Sequence, residues 1–275
     1  MKEKTKKFNA APLPFMGQKR NFLKEFTKAL ENYPENAIYV DLFGGSGLLS
    51  HTVKQQYPNA RVIYNDYDNY AERLANIPRT NALLADFRAI LGDYPKDKRI
   101  DEPYKSQILE RLRQESESGF VDWITVSSSI LFAMKYFLCY EEFTKGTLYN
   151  TMRLADYNAD GYLDGVEVVR ADYKAIFEQF KDNRSVVFLV DPPYLSTDVK
   201  AYKNYWRLAD YLDVLKVLKD SRYFYFTSNK SSIIELCEWI QSNTGGTNPF
   251  EGSTTVSMKA NVTFQSSYTD IMLFK

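Results

Sequence analysis

The residues best suited to chemistry are Asp191, Pro192, Pro193 and Tyr194, which follow the apolar run "VVFLV" directly. An acid beside two prolines offers two fixed acceptors, its own carboxylate and the Pro192 carbonyl. A proline carbonyl has no N–H on its own residue to compete for it, and Pro193 restrains its direction. Two acceptors aimed at both hydrogens of an aromatic amine would draw the nitrogen towards a tetrahedral shape and free its lone pair for in-line attack on a methyl group. Tyr194 adds a ring on which a base lifted out of a duplex can stack. The bland alternative is a strand-ending turn with a solvated acid, and these four residues alone leave both readings open.

A second group is "VDLFGGSGLLS", with Gly44, Gly45 and Gly47, followed nineteen residues after Gly47 by Asp66. Glycines let the backbone turn tightly and approach a ligand that a Cβ would exclude. An acid closing the next strand can accept hydrogen bonds from a ribose diol. The pairing points to an adenosine-containing cofactor. Gly45, Gly47 and Ser50 nearly fit the dinucleotide fingerprint, so a dehydrogenase is a rival; the chemistry of the later Asp-Pro-Pro-Tyr stretch sets it aside.

A third stretch, "DYNADGYLDGVE", fits an EF-hand loop at Asp156, Asn158, Asp160, Gly161, Asp164 and Glu167. The helix that should follow it is instead the strand-like "VEVVRADY". A glycine-containing turn into that strand is therefore preferred, and no metal site is expected. His51 is the single histidine, which leaves little room for histidine base chemistry or zinc.

The elements that must hold these groups read as follows. Phe22, Leu23, Phe26 and Leu30 share a helical face, "IYVDLF" is a short buried strand, "LLSHTVKQQY" resumes helical spacing, and "RVIYND" is a strand followed by a helix over "NYAERLANI". That is a βαβ unit. Val186 to Val190 show no polar alternation, as in a strand covered on both faces, and the prolines end it. A helix near "LADYLDVLKVLK", the strand "RYFYFTSN", the helix "SSIIELCEWIQ" and the closing strands "STTVSMK" and "TDIMLFK" complete a doubly wound α/β sheet. Residues 1–91 and 167–275 form this domain. An insertion at 92–166 contains an exposed helix and a buried helix through "WITVSSSILFAMKYFLCY".

The chain of 275 residues carries 35 basic and 35 acidic side chains, so its bulk charge does not advertise a nucleic-acid partner, and any such surface is local. No apolar run reaches the length of a membrane span and the start lacks a signal-peptide core, which predicts a cytoplasmic protein with no membrane partner. Cys139 and Cys237 lie in apolar surroundings and read as small core residues.

In the order of these motifs the sequence resembles the Dam-type, alpha-class DNA adenine methyltransferases. "PFMGQKR" is similar to that family's N-terminal motif, "VDLFGGSG" to its glycine motif, "YNDYD" to its ribose strand, "VVRADY" to the segment lining the cofactor adenine, and "FTSN" and the C-terminal residues to its last strands. The resemblance implies a Rossmann-like methyltransferase fold with a mostly helical inserted DNA-recognition domain, and S-adenosylmethionine as cofactor. Its contacts would be Phe15, Gly17, Lys19, Asp41, Phe43, Gly44, Gly45, Gly47, Asp66, Asp172 and Asp191. The resemblance further implies methyl transfer to the adenine amino group in double-stranded DNA by base flipping, with Asp191, Pro192, Pro193 and Tyr194 catalytic. A cognate restriction endonuclease is the protein partner such enzymes can have. The insertion keeps only an approximate likeness to the family; Lys135, Lys145 and Arg153 are its candidate DNA contacts, and the basic tail Lys2, Lys4, Lys6 and Lys7 could add salt-dependent affinity. Rival readings are transfer to cytosine, to RNA or to a protein amide, and a non-catalytic DNA- or calcium-binding module.

Overall fold

The structure is a computed structural model that describes residues 7–132, 136–195, 206–261 and 267–275. Lys2, Lys4, Lys6 and Lys135 lie outside the described residues. The chain divides into two compact units, one of residues 1–10, 18–68 and 163–275 and one of residues 11–17 and 69–162.

The first unit is built on a seven-stranded sheet. Its strands are β1 (Ile38–Asp41), β2 (Arg61–Asn65), β3 (Glu167–Val169), β4 (Val186–Val190), β5 (Arg222–Ser228), β6 (Thr254–Asn261) and β7 (Ser267–Phe274). They lie in the order β3-β2-β1-β4-β5-β7-β6. The first five are parallel, β7 is antiparallel to β5, and β6 is antiparallel to β7.

The unalternating run of β4 is explained by two apolar layers. Val186, Phe188 and Val190 point into one core with Val40, Leu42 and Ile63, while Val187 and Leu189 point into the other with Tyr39 and Val62. Three helices supply the first layer: α8 (Tyr173–Phe180), α9 (Leu208–Leu218) and α10 (Ile233–Thr244), which includes the buried Cys237. The second layer comes from α1 (Leu23–Leu30) and α2 (Leu48–Gln56), through Phe26, Leu30, Leu49 and Val53. The α/β Rossmann-like class expected from the sequence is the one observed. Strand ends differ slightly: β1 stops at Asp41 instead of Phe43, and β2 stops at Asn65, leaving Asp66 just beyond it.

The second unit contains α3 (Tyr70–Ala75), α4 (Ile77–Leu91), α5 (Tyr104–Ser118), α6 (Trp123–Ile130) and α7 (Tyr140–Lys145). Arg73 organises it: Nε donates to Asp122 Oδ1 at 3.0 Å, Nη2 donates to the Pro14 carbonyl at 2.8 Å, and the guanidinium lies over the Tyr70 ring. The Tyr70 hydroxyl lies 3.0 and 3.1 Å from the Leu13 nitrogen and carbonyl oxygen. These bonds tie α3 to residues 11–17, so the division falls after Asp68 and before Leu163, where the sequence suggested 92–166.

Three local features differ from the sequence expectations. The long helix α4 lies largely where no element was expected; Pro78 sits in its first turn, where its missing N–H has no helical partner to lose. The single buried helix expected over 123–140 ends at Ile130, with Leu131 extended. Ser127 is the cause: its hydroxyl donates to the Phe137 carbonyl at 3.0 Å and accepts from the Phe137 nitrogen at 2.8 Å, giving the backbone an alternative to helix. Cys139, expected in the core, is only partly buried at the start of α7. Among the described residues no helix is long and apolar enough to cross a membrane.

Candidate active site

From β1 the sheet proceeds to β2 and β3 on one side and to β4 and β5 on the other, so the chain reverses its direction of winding between β1 and β4. Open α/β sheets bind ligands outside the carboxyl ends of the strands at such a point. Asp41 pairs with Leu189 across β1 and β4. The glycine turn after β1 and the Asp-Pro-Pro-Tyr stretch after β4 therefore leave the sheet side by side.

The glycine turn is shaped by β2. A Cβ on Gly44 would fall on the Tyr64 ring and come within 2.9 Å of the Asn65 carbonyl, so only glycine fits. Gly47 has φ +72 and begins α2, a left-handed position that costs other residues strain. The Tyr64 hydroxyl sits between the Gly45 carbonyl at 2.8 Å and Asp66 Oδ1 at 2.9 Å. Asn65 Nδ2 donates to the carbonyls of Leu42 and Ala171, and its Oδ1 accepts from the Ala171 nitrogen. Tyr64 and Asn65 thus lock the glycine turn, Asp66 and the end of β3 together. The sequence marked neither, because a tyrosine or asparagine in a strand has no local signature of such a role.

Asp41 is buried; Oδ2 accepts from the Ser50 hydroxyl at 2.7 Å, while Oδ1 has no hydrogen-bond partner among the described residues. Burial pushes its carboxyl up to about 7 and the nearby Asp191 charge adds to the rise, while the Ser50 hydroxyl, the Phe43 backbone N–H and the Lys19 charge oppose it. A buried carboxylate oxygen left open, beside a turn that no side chain can enter, suits a cationic ligand carrying an adenosine. S-adenosylmethionine is such a ligand, so these residues fit the cofactor.

At the β4 end, Lys19 Nζ lies 2.5 Å from Asp191 Oδ2, with the lysine side chain 9% and the aspartate 19% exposed. The aspartate is thus enclosed yet still open to a ligand. Its pKa is raised first by burial, with Lys19 opposing and Asp270 adding to the rise. Lys19 Nζ is 5.6 Å from the Tyr194 ring centre and 6.0 Å from that of Phe226. The Tyr194 hydroxyl is 3.5 Å from Asp270 Oδ1, and its carbonyl accepts from the Tyr211 hydroxyl at 3.4 Å. Phe43 packs on Tyr173 and Trp206, centroids 4.8 and 5.8 Å away, and Trp206 packs in turn on Tyr211. Asp270, Trp206 and Tyr211 also escaped the sequence reading: they reach the site only through tertiary placement.

Residues 15–258 match one protein-family model, that of the D12 class N6 adenine-specific DNA methyltransferases. The chain belongs to that family. A Haemophilus influenzae protein named "Putative methyltransferase" is 37% identical over 98% of this chain and 93% of its own length. The crystal structure of a precorrin-6y C5,15-methyltransferase from Geobacter metallireducens overlaps 96% of this chain and 94% of its own, with 10% identity and a TM-score of 0.40.

Within this D12 methyltransferase, Lys19, Asp41, Phe43, Gly44, Gly45, Gly47, Asp66, Asp172, Asp191 and the Pro192–Tyr194 segment all belong to the first unit. Asp172 lies past the end of β3, and its Oδ1 caps α8 by accepting from the Lys174 nitrogen at 2.8 Å. Phe15 and Gly17 belong to the second unit, where Phe15 stands edge-on to Tyr70. Lys145 is exposed at the end of α7, and Arg153 is exposed with its guanidinium 4.1 Å over the Tyr157 ring. Among the EF-hand-like positions, Asp156 pairs with Arg88 at 2.8 Å, and Glu167 is a β3 residue held at both oxygens by Arg61 at 2.9 Å. The stretch is a turn leading into a strand. His51 is buried on α2, where Nε2 accepts from the Phe8 nitrogen at 3.3 Å.

Proposed function

We propose that this D12 methyltransferase transfers a methyl group from S-adenosylmethionine to the exocyclic amino group of adenine in duplex DNA, on a base turned out of the helix. The order of the cofactor motif before Asp-Pro-Pro-Tyr supports the Dam-type, alpha-class form of that reading. The single observation that carries it is the placement of Asp191 at the carboxyl end of β4, next to the glycine turn of β1, enclosed but not sealed.

When bound, S-adenosylmethionine supplies a methyl group made electrophilic by a sulfonium. The residues of the chain do the rest. Gly44, Gly45 and Gly47 would provide backbone that approaches the ligand, Asp66 would receive the ribose hydroxyls, and Asp41 would offer its open oxygen to a cationic group. Asp191 accepts one amino hydrogen of the base and the Pro192 carbonyl accepts the other, so the nitrogen lone pair leaves conjugation with the ring. Tyr194 stacks on the base face, a contact worth about 1 to 3 kcal/mol. Lys145, Arg153 and Lys135 are proposed to meet the DNA backbone or bases. A restriction endonuclease recognising the same site remains the proposed protein partner.

The test is transfer of tritiated methyl to duplex DNA, followed by nucleoside analysis. Label is expected in N6-methyladenine, and Asp191→Ala is expected to lower the rate by about a hundredfold or more. Label in cytosine, RNA or protein overturns the adenine reading. Absence of label with every substrate overturns the enzymatic one.

A further inference from the structure

The acid on β7 has no part in the scheme above, yet it stands in the same cluster. Because β7 runs antiparallel to β5, its early residues lie at the carboxyl edge of the parallel strands, and Asp270 pairs there with Ser228. Its Oδ1 is 3.5 Å from the Tyr194 hydroxyl. Burial raises the pKa of Asp270, with Lys19 and the Tyr194 hydroxyl opposing that rise. Lys19 therefore contacts Asp191 and lies within the electrostatic reach of two further carboxylates, Asp41 on β1 and Asp270 on β7, with Asp270 standing at the Tyr194 hydroxyl.

This arrangement addresses a difficulty in the amine-polarising role proposed for Asp191, on which the inference rests. Lys19 holds Asp191 Oδ2 at 2.5 Å. A base amino group must compete with that ammonium for the carboxylate. If the lysine gave way with no other anion near, a buried positive charge would be left alone, which is strongly unfavourable. Asp270, with Asp41 within the field of the same ammonium, lowers that cost.

We propose that Asp270 is a positioning residue: it shares Lys19 with Asp191, retains the lysine's charge when the base amino group engages Asp191, and steadies the Tyr194 hydroxyl beside the base. The charged and titratable groups acting on Asp191 are Lys19 ahead of α1, Asp41 on β1, Tyr225 on β5 and Asp270 on β7, while Tyr194 of its own segment meets Lys19 with its ring and Asp270 with its hydroxyl. Asp270 raises the pKa of Asp191, and Lys19 lowers it. Removing the charge of Asp270 should thus tighten the Lys19–Asp191 pair and make Asp191 more acidic.

The experiment compares the parent protein with Asp270→Asn and Asp270→Glu. With methylated duplex DNA as the readout, Asp270→Asn is expected to lose roughly tenfold to a hundredfold in kcat. The acid limb of its pH profile should move down by about half a unit to one unit. Asp270→Glu should recover most of the rate and the original limb. A loss of rate without movement of the limb, or an equal loss in both variants, overturns the proposal and marks a purely structural contact. Asp41 also titrates near 7, so the limb is assigned by following aspartate carboxyl carbons by NMR in the free chain. There the Asp191 and Asp270 resonances of the parent should titrate as a coupled pair, and Asp191 should shift down in Asp270→Asn. Independent titration overturns the proposal even if Asp270→Asn does not fold. If the parent does not methylate adenine, the proposed function fails, and the NMR arm still decides whether the two acids share the lysine.

Discussion

Asp122 in the second unit and Asp41 in the first are both buried aspartates next to helix starts, and they are treated differently. Asp122 is fully provided for: Oδ1 accepts from Arg73 Nε at 3.0 Å and from the Thr125 nitrogen at 3.1 Å, and Oδ2 accepts from the Thr125 hydroxyl at 2.6 Å. Asp41 has the Ser50 hydroxyl on one oxygen and nothing on the other among the described residues. Where a carboxylate serves only the fold, each lone pair is matched, since an unmatched buried charge is expensive. Where one is left unmatched, the fold bears a cost that a ligand can relieve. The contrast separates a carboxylate that builds from one that waits.

The largest expected effect tests the first half of that contrast. Arg73→Ala leaves Asp122 buried with its charge unpaired and frees the Pro14 carbonyl. It is expected to lower stability by about 3 to 5 kcal/mol, measured by urea unfolding at pH 7. A loss below about 1 kcal/mol would show that Asp122 is not held by its arginine and would erase the distinction from Asp41.

The second half predicts the opposite sign. Burial sets the folded pKa of Asp41 at about 7, above the value of 3.8 for the free group. The folded state therefore binds the extra proton between these values, and stability falls as pH rises from about 4 towards 7, then levels. Asp41→Asn keeps an acceptor for Ser50 and removes the charge. The variant is expected to match the parent near pH 4 and to exceed it by up to about 3 kcal/mol at pH 8, read by thermal or urea unfolding across that range, while methyl transfer falls. Destabilisation at pH 8 would mean that the carboxylate is satisfied in the fold after all.

What could be seen of this in the sequence follows from how local each signal is. The β4 run, its prolines and the glycine turn are legible because burial on both faces and abrupt chain reversal are written in consecutive residues. Helix α4 went unassigned, and α6 was overextended because the Ser127 hydroxyl bonds to Phe137, a partner ten residues away. The site divides the same way. Asp66 and Asp191 stand at strand ends that the text announces, whereas Tyr64, Trp206 and Asp270 join them only once β2, β7 and the segment before α9 are brought to one edge of the sheet. Asp41 was legible as part of a motif, but its open oxygen was not, because that depends on which donors the fold places around it.

The smallest effect sharpens the comparison by moving it to the surface. Arg61 grips both oxygens of Glu167 at 2.9 Å, a better geometry than the single contact between Arg73 and Asp122, yet half of each side chain is open to water. Water solvates these charges almost as well apart as together, and both side chains give up rotamer freedom to meet. Arg61→Ala is therefore expected to cost about 0.5 kcal/mol or less, and to cost nothing measurable in 1 M salt, where the screening length is about 3 Å. Urea unfolding of this variant beside Arg73→Ala, at low and high salt, isolates burial as the variable. If the exposed pair proves as costly to break as the buried one, bond geometry and not desolvation sets the value of these contacts. The open oxygen of Asp41 would then lose its claim to be energetically special.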